Sequence, residues 1–246
     1  MISPSLVAAL APTGKLHVGI NYGNPVLATR DASGELRGVA VDLARELGRR
    51  IELPIEIVAF ESAGKMFDAV KSGAWDVAFL AVDPGRAGDI DFTAPYVEIE
   101  GTYLTPAGAP FHTVDDVDRD GVRVGVSAKS AYDLFLSRSL KHAQIVRAQS
   151  PESAFDLILS SKVDVLAGVR QTLVAHSAKL AGSRVFEDRF MAIGQAMGVV
   201  KGRGDAVKYL REFIEELKAS GFVARALEKA GVSGVTIPLN EARETV

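Results

Sequence analysis

The sequence predicts an α/β protein built as two similar lobes joined by a two-strand hinge. Three observations carry that expectation. Short apolar runs closed by turn clusters alternate with stretches whose apolar residues fall at helical spacing. The order of these elements in the first half returns in the second. Two further extended runs, Val97–Leu104 and Met191–Lys201, stand where a chain must leave one lobe and return to it.

Taken in order, Ser3 or Ser5 caps a short helix Leu6–Leu10, which ends before Pro12. Leu16–Ile20 is the first strand, and Asn21–Asn24 with Pro25 forms the loop at its carboxyl end. Thr29–Gly38 carries hairpin-type turn signals in Asp31, Ser33 and Gly34. Val39–Arg50 reads as a helix, with Val41, Leu43, Ala44, Leu47 and Ile51 on its apolar side. Ile55–Phe60 is a strand, and Lys65–Lys71 a helix closed by Gly73. Asp76–Ala81 is the third strand, its continuous apolar run suited to a sheet covered on both faces. Asp83-Pro84-Gly85 ends it in a turn, and Arg86 follows at the strand's mouth.

The second half repeats this unit. LHVGI at Leu16–Ile20 resembles VRVGV at Val122–Val126. Phe67-Asp68 followed by Trp75-Asp76-Val77 resembles Phe155-Asp156 followed by Val163-Asp164-Val165, at identical spacing. The repeated elements are Val122–Val126, Ala131–Leu140, Gln144–Ala148, Pro151–Ser160 and Val163–Ala167. Gly194 and Gly198 are expected to loosen the returning strand. Val207–Lys218 and Phe222–Ala230 are amphipathic helices separated at Ser220-Gly221. The expected division is residues 1–100 with 195–246 as lobe one and 101–194 as lobe two. The polar tail after Gly231 is expected to be loosely held.

Composition narrows the function. The 246 residues carry a net charge of −3 with 24% charged side chains, which gives no basic stripe for nucleic acid. There is no cysteine, and His17, His112, His142 and His176 are scattered without ligand spacing. No metal and no cofactor are therefore expected. No stretch is apolar enough to span a bilayer. The opening MISPSLVAALAPTGKL lacks both a basic n-region and a sustained apolar core, so it does not read as a signal peptide. The expected location is periplasmic if a leader has been removed, and cytoplasmic otherwise.

Lobes that face each other bring the carboxyl ends of both sheets to one cleft. The first lobe offers Asn21, Tyr22, Asn24, Ala81, Asp83 and Arg86, and the second Ser127, Lys129, Ser130, Ala131 and Arg170. A guanidinium suits a carboxylate, which it grips with two parallel hydrogen bonds. Ser130 is placed to cap the helix that starts at Ala131, whose free N–H groups suit an anion. An anion shared by Arg86 and this helix start would join the lobes only when closed. No Ser-His-Asp order, Gly-rich phosphate loop or HExxH motif is present. Glu98 and Glu100 near the hinge are the candidates for a catalytic acid or base, and the favoured reading of them is a charged edge or hinge contact.

The chain resembles the bacterial extracytoplasmic solute-binding proteins of the polar-amino-acid type, which serve ABC transporters. The resemblance runs from Leu16 to Gly231. It rests on LHVGINYGNP, GELRGVAVDLARELGRR, SGAWDVAFLAVDPGRAGDIDFTAPY, GVRVGVSAKSAYD, SPESAFDLILSSKVDVLAG and EELKASGFVARALEKAG in that order. It implies a type II periplasmic binding fold, a small carboxylated ligand between the lobes, and a membrane permease as partner. Arg86 matches the family's carboxylate-binding arginine, Ser130 and Ala131 its second-lobe helix start, and Asn24 a position often held by an aromatic ring. The departures concern the ligand. The segment from Asp76 to Arg86 is about two residues short of the usual pattern, and Ala81-Val82-Asp83 replaces a Ser/Thr run. Ala40 replaces an acidic residue. Val169 stands where an aspartate usually receives the ligand's ammonium group, beside the cation Arg170. Two readings stay open: Asp83 takes the ammonium, or the ligand lacks one and Arg170 meets a second anionic group. The rival functions are a cyclohexadienyl dehydratase-like enzyme on the same fold, with Glu98 or Glu100 as its acid, and a ligand-sensing module.

Overall fold

The computed structural model describes residues 3–238. Helix α1 (Pro4–Leu10) starts at Ser3, whose side chain accepts the Leu6 N–H, so Ser3 and not Ser5 is the cap. Strand β1 (Leu16–Asn21), the small hairpin β2 (Thr29–Arg30) and β3 (Leu36–Arg37), helix α2 (Val39–Ile51) and β4 (Ile55–Phe60) follow. Helix α3 (Ala63–Asp68) is shorter than predicted because its last turn tightens to a 3₁₀ turn over Ala69–Ser72 before the left-handed Gly73. Then come β5 (Val77–Ala81), the short β6 (Ile90–Phe92) and the long β7 (Val97–Thr105). The second half runs β8 (Arg123–Ser127), α4 (Ala131–Ser139), β9 (Gln144–Ala148), α5 (Pro151–Leu159) and β10 (Val165–Val169). Helix α6 (Arg170–Ser177) and β11 (Arg184–Val185) lead to β12 (Met191–Val200), and α7 (Gly204–Ala219) and α8 (Phe222–Lys229) are the last described elements.

The sheet order is β4-β1-β5-β12-β7-β10-β8-β9, with β6 on β12 and β11 on β7. Each half is the same parallel unit. β1 lies between β4 and β5, as β8 lies between β9 and β10. The repeated residues make the same bonds in both places. The Asp76 carboxylate accepts the His17 N–H at 3.0 Å, and Asp164 accepts the Arg123 N–H at 2.8 Å. In return, the N–H of each aspartate donates to the carbonyl of that same partner, at 2.8 and 2.9 Å. The repeated glycines share a cause as well. A β-carbon on Gly19 would meet Trp75 at 3.2 Å, and one on Gly125 would meet Val163 at 3.1 Å. Trp75 and Val163 are themselves matched positions. The repeat is therefore one packing solution used twice: a strand held to its neighbour by an aspartate, with the side chain before that aspartate filling the glycine's space. Because Asp164 is spent on this tie, β10 starts at Val165, two residues later than expected.

Between the halves run β7 and β12, antiparallel to each other. Each changes partner along its length. Gly101 on β7 faces both Met191 of β12 and Val169 of β10. Gln195 on β12 faces both Val97 of β7 and Ala81 of β5. Gly194 and Gly198 do not loosen this strand. They admit close neighbours, since a β-carbon would lie 2.7 Å from Pro95 at Gly194 and 2.6 Å from Ile90 at Gly198. The segment after Gly231 is also held: Glu98 and Thr236 exchange two backbone hydrogen bonds at 2.7 and 3.0 Å. The part of the predicted loose tail beyond residue 238 lies outside the described residues.

The lobes meet along one front. Lys129 pairs with Asp68 and Arg138 with Asp83 across it. Gly64 of α3 sits against the Ala128 carbonyl so closely that a methyl group there would collide with it. Among the described residues, no helix is long and apolar enough to cross a membrane.

Two outcomes follow from this packing. Gly64→Ala leaves each half intact but forces the front apart, so small-angle scattering should report a larger radius of gyration with an unchanged circular dichroism spectrum. Asp164→Ala should cost about 1–2 kcal/mol in urea unfolding at neutral pH. The Arg123 hydrogen bond lowers the Asp164 pKa below its ordinary 3.8. Its contribution is thus complete above that value, and the difference between variant and parent should shrink as pH falls below it.

Candidate functional site

The cleft between the lobes is walled by three groups of residues and encloses about 500 Å³, part of it open to solvent. Lobe one supplies Asn21, Gly23, Asn24 and Leu27 from the loop after β1, Ala63 at the start of α3, and Phe79, Leu80 and Ala81 from β5. Lobe two supplies Ser127, Ser130, Ala131 and Tyr132 around the start of α4, with Pro151, Val169 and Thr172. Ile193 and Gln195 of β12 form the floor. Among the described residues of this lining there is no Asp, Glu, Lys, Arg or His.

The loop after β1 is shaped by its own asparagines. Asn21 Oδ1 accepts the Gly23 N–H at 3.0 Å, and Asn24 Oδ1 accepts the Val26 N–H at 3.2 Å. Both are side-chain turns of the kind asparagine makes two residues ahead. They fix which end of each amide is which, because only the oxygen can receive a backbone N–H.

Across the cleft, Ser130 Oγ accepts the Asp133 N–H at 3.0 Å and caps α4. The Ala131 and Tyr132 N–H groups, one and two residues into the helix, find no acceptor among the described residues. The start of α4 is braced from behind. Lys129 takes a left-handed backbone at φ 56, which is costly for a side-chain-bearing residue. It is held there because its N–H donates to Asp133 Oδ2 at 2.7 Å. Asp133 is buried, and Arg147 of β9 neutralises it with Nε at 3.0 and 3.1 Å from its oxygens. The Tyr132 hydroxyl stands beside Ser127 and Ser130, and burial pushes its pKa up to about 12.

Arg86 is fully buried directly behind this lining. Its guanidinium donates to the Ala81 carbonyl at 2.7 Å and to the Lys129 carbonyl at 2.8 Å, one from each lobe. Its Nε–H has no partner among the described residues, and the Phe67 ring lies 5.9 Å from the guanidinium carbon. Burial lowers its pKa to about 10, with Asp83 opposing the shift, so it stays protonated at neutral pH. The turn from Asp83 to Arg86 forms as the sequence indicates, closed by Arg86 N–H to Asp83 O at 2.9 Å.

Asn21, Asn24, Ala81, Ser127, Ser130 and Ala131 thus come together in the cleft wall. The other sequence candidates do not line it. Tyr22 lies under the Arg30 guanidinium, 4.3 Å from ring centre to carbon. Lys129 turns its ammonium to Asp68. The two residues considered for the ligand's polar group are engaged elsewhere, which corrects the roles given to Asp83 and Arg170. Asp83 accepts Arg138 at 3.2 and 2.8 Å, and Arg170 binds Glu100 and the carbonyls of Phe186 and Glu187. Glu100 also meets Arg189 at 3.4 Å, and neither Glu98 nor Glu100 is in the cleft wall. The sequence reading missed Tyr132, Thr172, Ile193 and Gln195. Gln195 carried a signal, as the one hydrogen-bonding side chain within the run Met191–Val200. Thr172 carried none, because α6 follows β10 without a side-chain cap and with little apolar periodicity.

The arrangement can receive a small molecule on hydrogen-bond donors from both lobes, with a fixed positive charge behind them. The chain has relatives among known proteins. The Salmonella typhimurium histidine-binding periplasmic protein is 22% identical over 245 residues, spanning 92% of this chain and 91% of its own. A mutant of ArgBP from T. maritima superposes with a TM-score of 0.79 at 22% identity, over 92% of this chain and 99% of that one. An ancestral amino acid-binding protein, described as a precursor of cyclohexadienyl dehydratase, gives 0.75 at 21% identity over 91% and 98%. These structures share the two-lobed type II periplasmic binding fold. Matched over residues 16–232 by the model of that family, the chain belongs to the bacterial extracellular solute-binding proteins, family 3.

Proposed function

We propose that the protein is the solute-binding component of an ABC transporter. It holds a small carboxylated metabolite between its lobes, performs no chemistry on it, and presents it to a membrane permease. The observation that carries this reading is the pairing of unpartnered first-turn amides at Ala131 and Tyr132 with a buried, protonated Arg86 that touches both lobes. Backbone N–H groups and a helix dipole stabilise a carboxylate at that point, and a desolvated guanidinium behind them strengthens the field. The changes of strand partner at Gly101 and Gln195 support a division into residues 1–100 with 195–246, and 101–194. Closure about these strands would gate access to the ligand. A periplasmic location, reached with a leader since removed, fits the family and the histidine-binding relative. The enzyme alternative draws on the likeness to the dehydratase precursor. It lacks support in the cleft wall, where Tyr132 is the one side chain that titrates and burial keeps its proton on.

A thermal-shift screen over small carboxylates should identify compounds that raise the melting temperature of the parent protein. Arg86→Met keeps the bulk but removes the charge. It should abolish that rise and lower intrinsic stability by about 2–5 kcal/mol, since two buried carbonyls lose their donors. An undiminished rise would remove Arg86 from recognition. Should that variant fail to fold, the parent still decides the matter. In ¹⁵N spectra the Ala131 and Tyr132 amides should shift on titration, and silence at both would remove the helix start.

A further inference from the structure

The cleft wall distinguishes between kinds of carboxylate, an inference that rests on the carboxylate reading just given. The oxygens of Asn21 and Asn24 are occupied by the Gly23 and Val26 N–H groups. Each NH₂ group, which donates only, is left without a partner among the described residues. The Ala131 and Tyr132 amides are donors as well. An α-ammonium group needs the reverse, an anion or several oxygen acceptors, and a buried ammonium without them is strongly disfavoured. Asp83, the acid nearest in sequence to the strand end, is bound on both oxygens by Arg138. Val169 brings a methyl-bearing surface into the lining. The remaining polar groups are hydroxyls and Gln195, all neutral. A second carboxylate is equally poorly served. Arg170 is engaged by Glu100 and Lys129 by Asp68, which leaves Arg86 as the cation close behind the wall. Leu27, Phe79 and Ile193 provide an apolar surface for a hydrocarbon skeleton.

We infer that the cleft takes a small monocarboxylate whose α-substituent is an oxygen, a hydroxy or keto acid, in preference to the amino acid of the same skeleton. The neutral donors bind an oxygen's lone pairs. The same donors turn their positive ends toward an ammonium group and leave its protons only the neutral oxygens of the hydroxyls and Gln195, with no anion.

The test is isothermal titration calorimetry at neutral pH with matched α-hydroxy, α-keto and α-amino acids on the alanine, valine, leucine and phenylalanine skeletons. The best hydroxy or keto acid should bind about tenfold or more tighter than its amino partner. An amino acid binding as tightly or more tightly overturns the inference while the carboxylate reading stands. Silence across the whole panel removes both. Asn24→Asp sharpens the result. It keeps an oxygen for the Val26 N–H and replaces the NH₂ donor with an anionic oxygen. Affinity for the oxygen acid should fall about tenfold and that for its amino partner should rise. An unchanged order of preference in a variant with native circular dichroism would overturn the donor argument.

Discussion

The contact on which the rest of the structure depends is the grip of Arg86 on two carbonyl oxygens from opposite lobes. A guanidinium with no solvent contact is costly to bury, and it is tolerable only where its N–H groups are occupied. Here the Ala81 carbonyl at the end of β5 and the Lys129 carbonyl before α4 occupy two of them. The second of these explains the unusual backbone beside it. Lys129 turns left-handed, and its N–H and C=O point to opposite partners, Asp133 and Arg86. The strain at Lys129 is thus supported from two sides, and it sets the angle at which the first turn of α4 meets the cleft. A buried charge held by dipoles rather than by a carboxylate keeps most of its field. The unpartnered Nε–H marks how incompletely it is neutralised.

Much of the fold was legible because the same local solution is used twice. An aspartate followed by valine, a bulky residue before it and a Phe-Asp pair eight positions upstream recur at the same spacing in both halves, each set against a glycine in the neighbouring strand. A sequence can display such a unit without reference to distant contacts. The strands and helices that depend on this unit fell within a residue or two of where periodicity put them. What sequence could not show were the choices made by tertiary partners. The turn after β5 reveals that Asp83 and Arg86 lie at a strand end. Which of them faces the ligand depends on Arg138 and Lys129, which lie 43 to 55 positions further along the chain. Arg170 looked like a cation beside the ligand because it follows Val169. Helix α6 begins at that very residue and carries its side chain to Glu100. Gln195 and Ile193 were counted as hinge residues, and nothing in a strand pattern tells which hinge side chains face a cleft.

Apart from the Arg86 grip, the ion pairs between the lobes each have a partly exposed partner. The Lys129–Asp68 pair is about half exposed on both sides, and Arg138 is 47% exposed where it meets Asp83. The exposed Lys129–Asp68 pair contributes about 0–1 kcal/mol and is screened by salt, whereas Asp83 is itself buried and its pair with Arg138 is screened less. Gln171 adds hydrogen bonds from α6 to the carbonyls of Ser233 and Gly234 at 3.0 and 3.2 Å. Such contacts orient the lobes without deciding between open and closed arrangements. That decision falls to whatever adds a difference between the two, and a ligand touching both walls supplies one.

A binding cleft without charged side chains has a consequence for how closure is driven. A carboxylate placed against a surface guanidinium would bind one lobe tightly and gain little when the second arrived. Here the charge is recessed behind backbone atoms of both lobes, and the exposed groups are neutral donors contributed from each side: Asn21 and Asn24 from lobe one, the Ala131 and Tyr132 amides from lobe two. Neutral donors attract an anion weakly while water still screens it, and strongly once closure lowers the local dielectric. Most of the interaction energy therefore appears only when both walls are in place. In the proposed reading, specificity would then reside in the direction of each N–H rather than in the sign of any one side chain, and the two asparagine turns, fixed by backbone hydrogen bonds within a six-residue loop, would set the direction of the lobe-one donors.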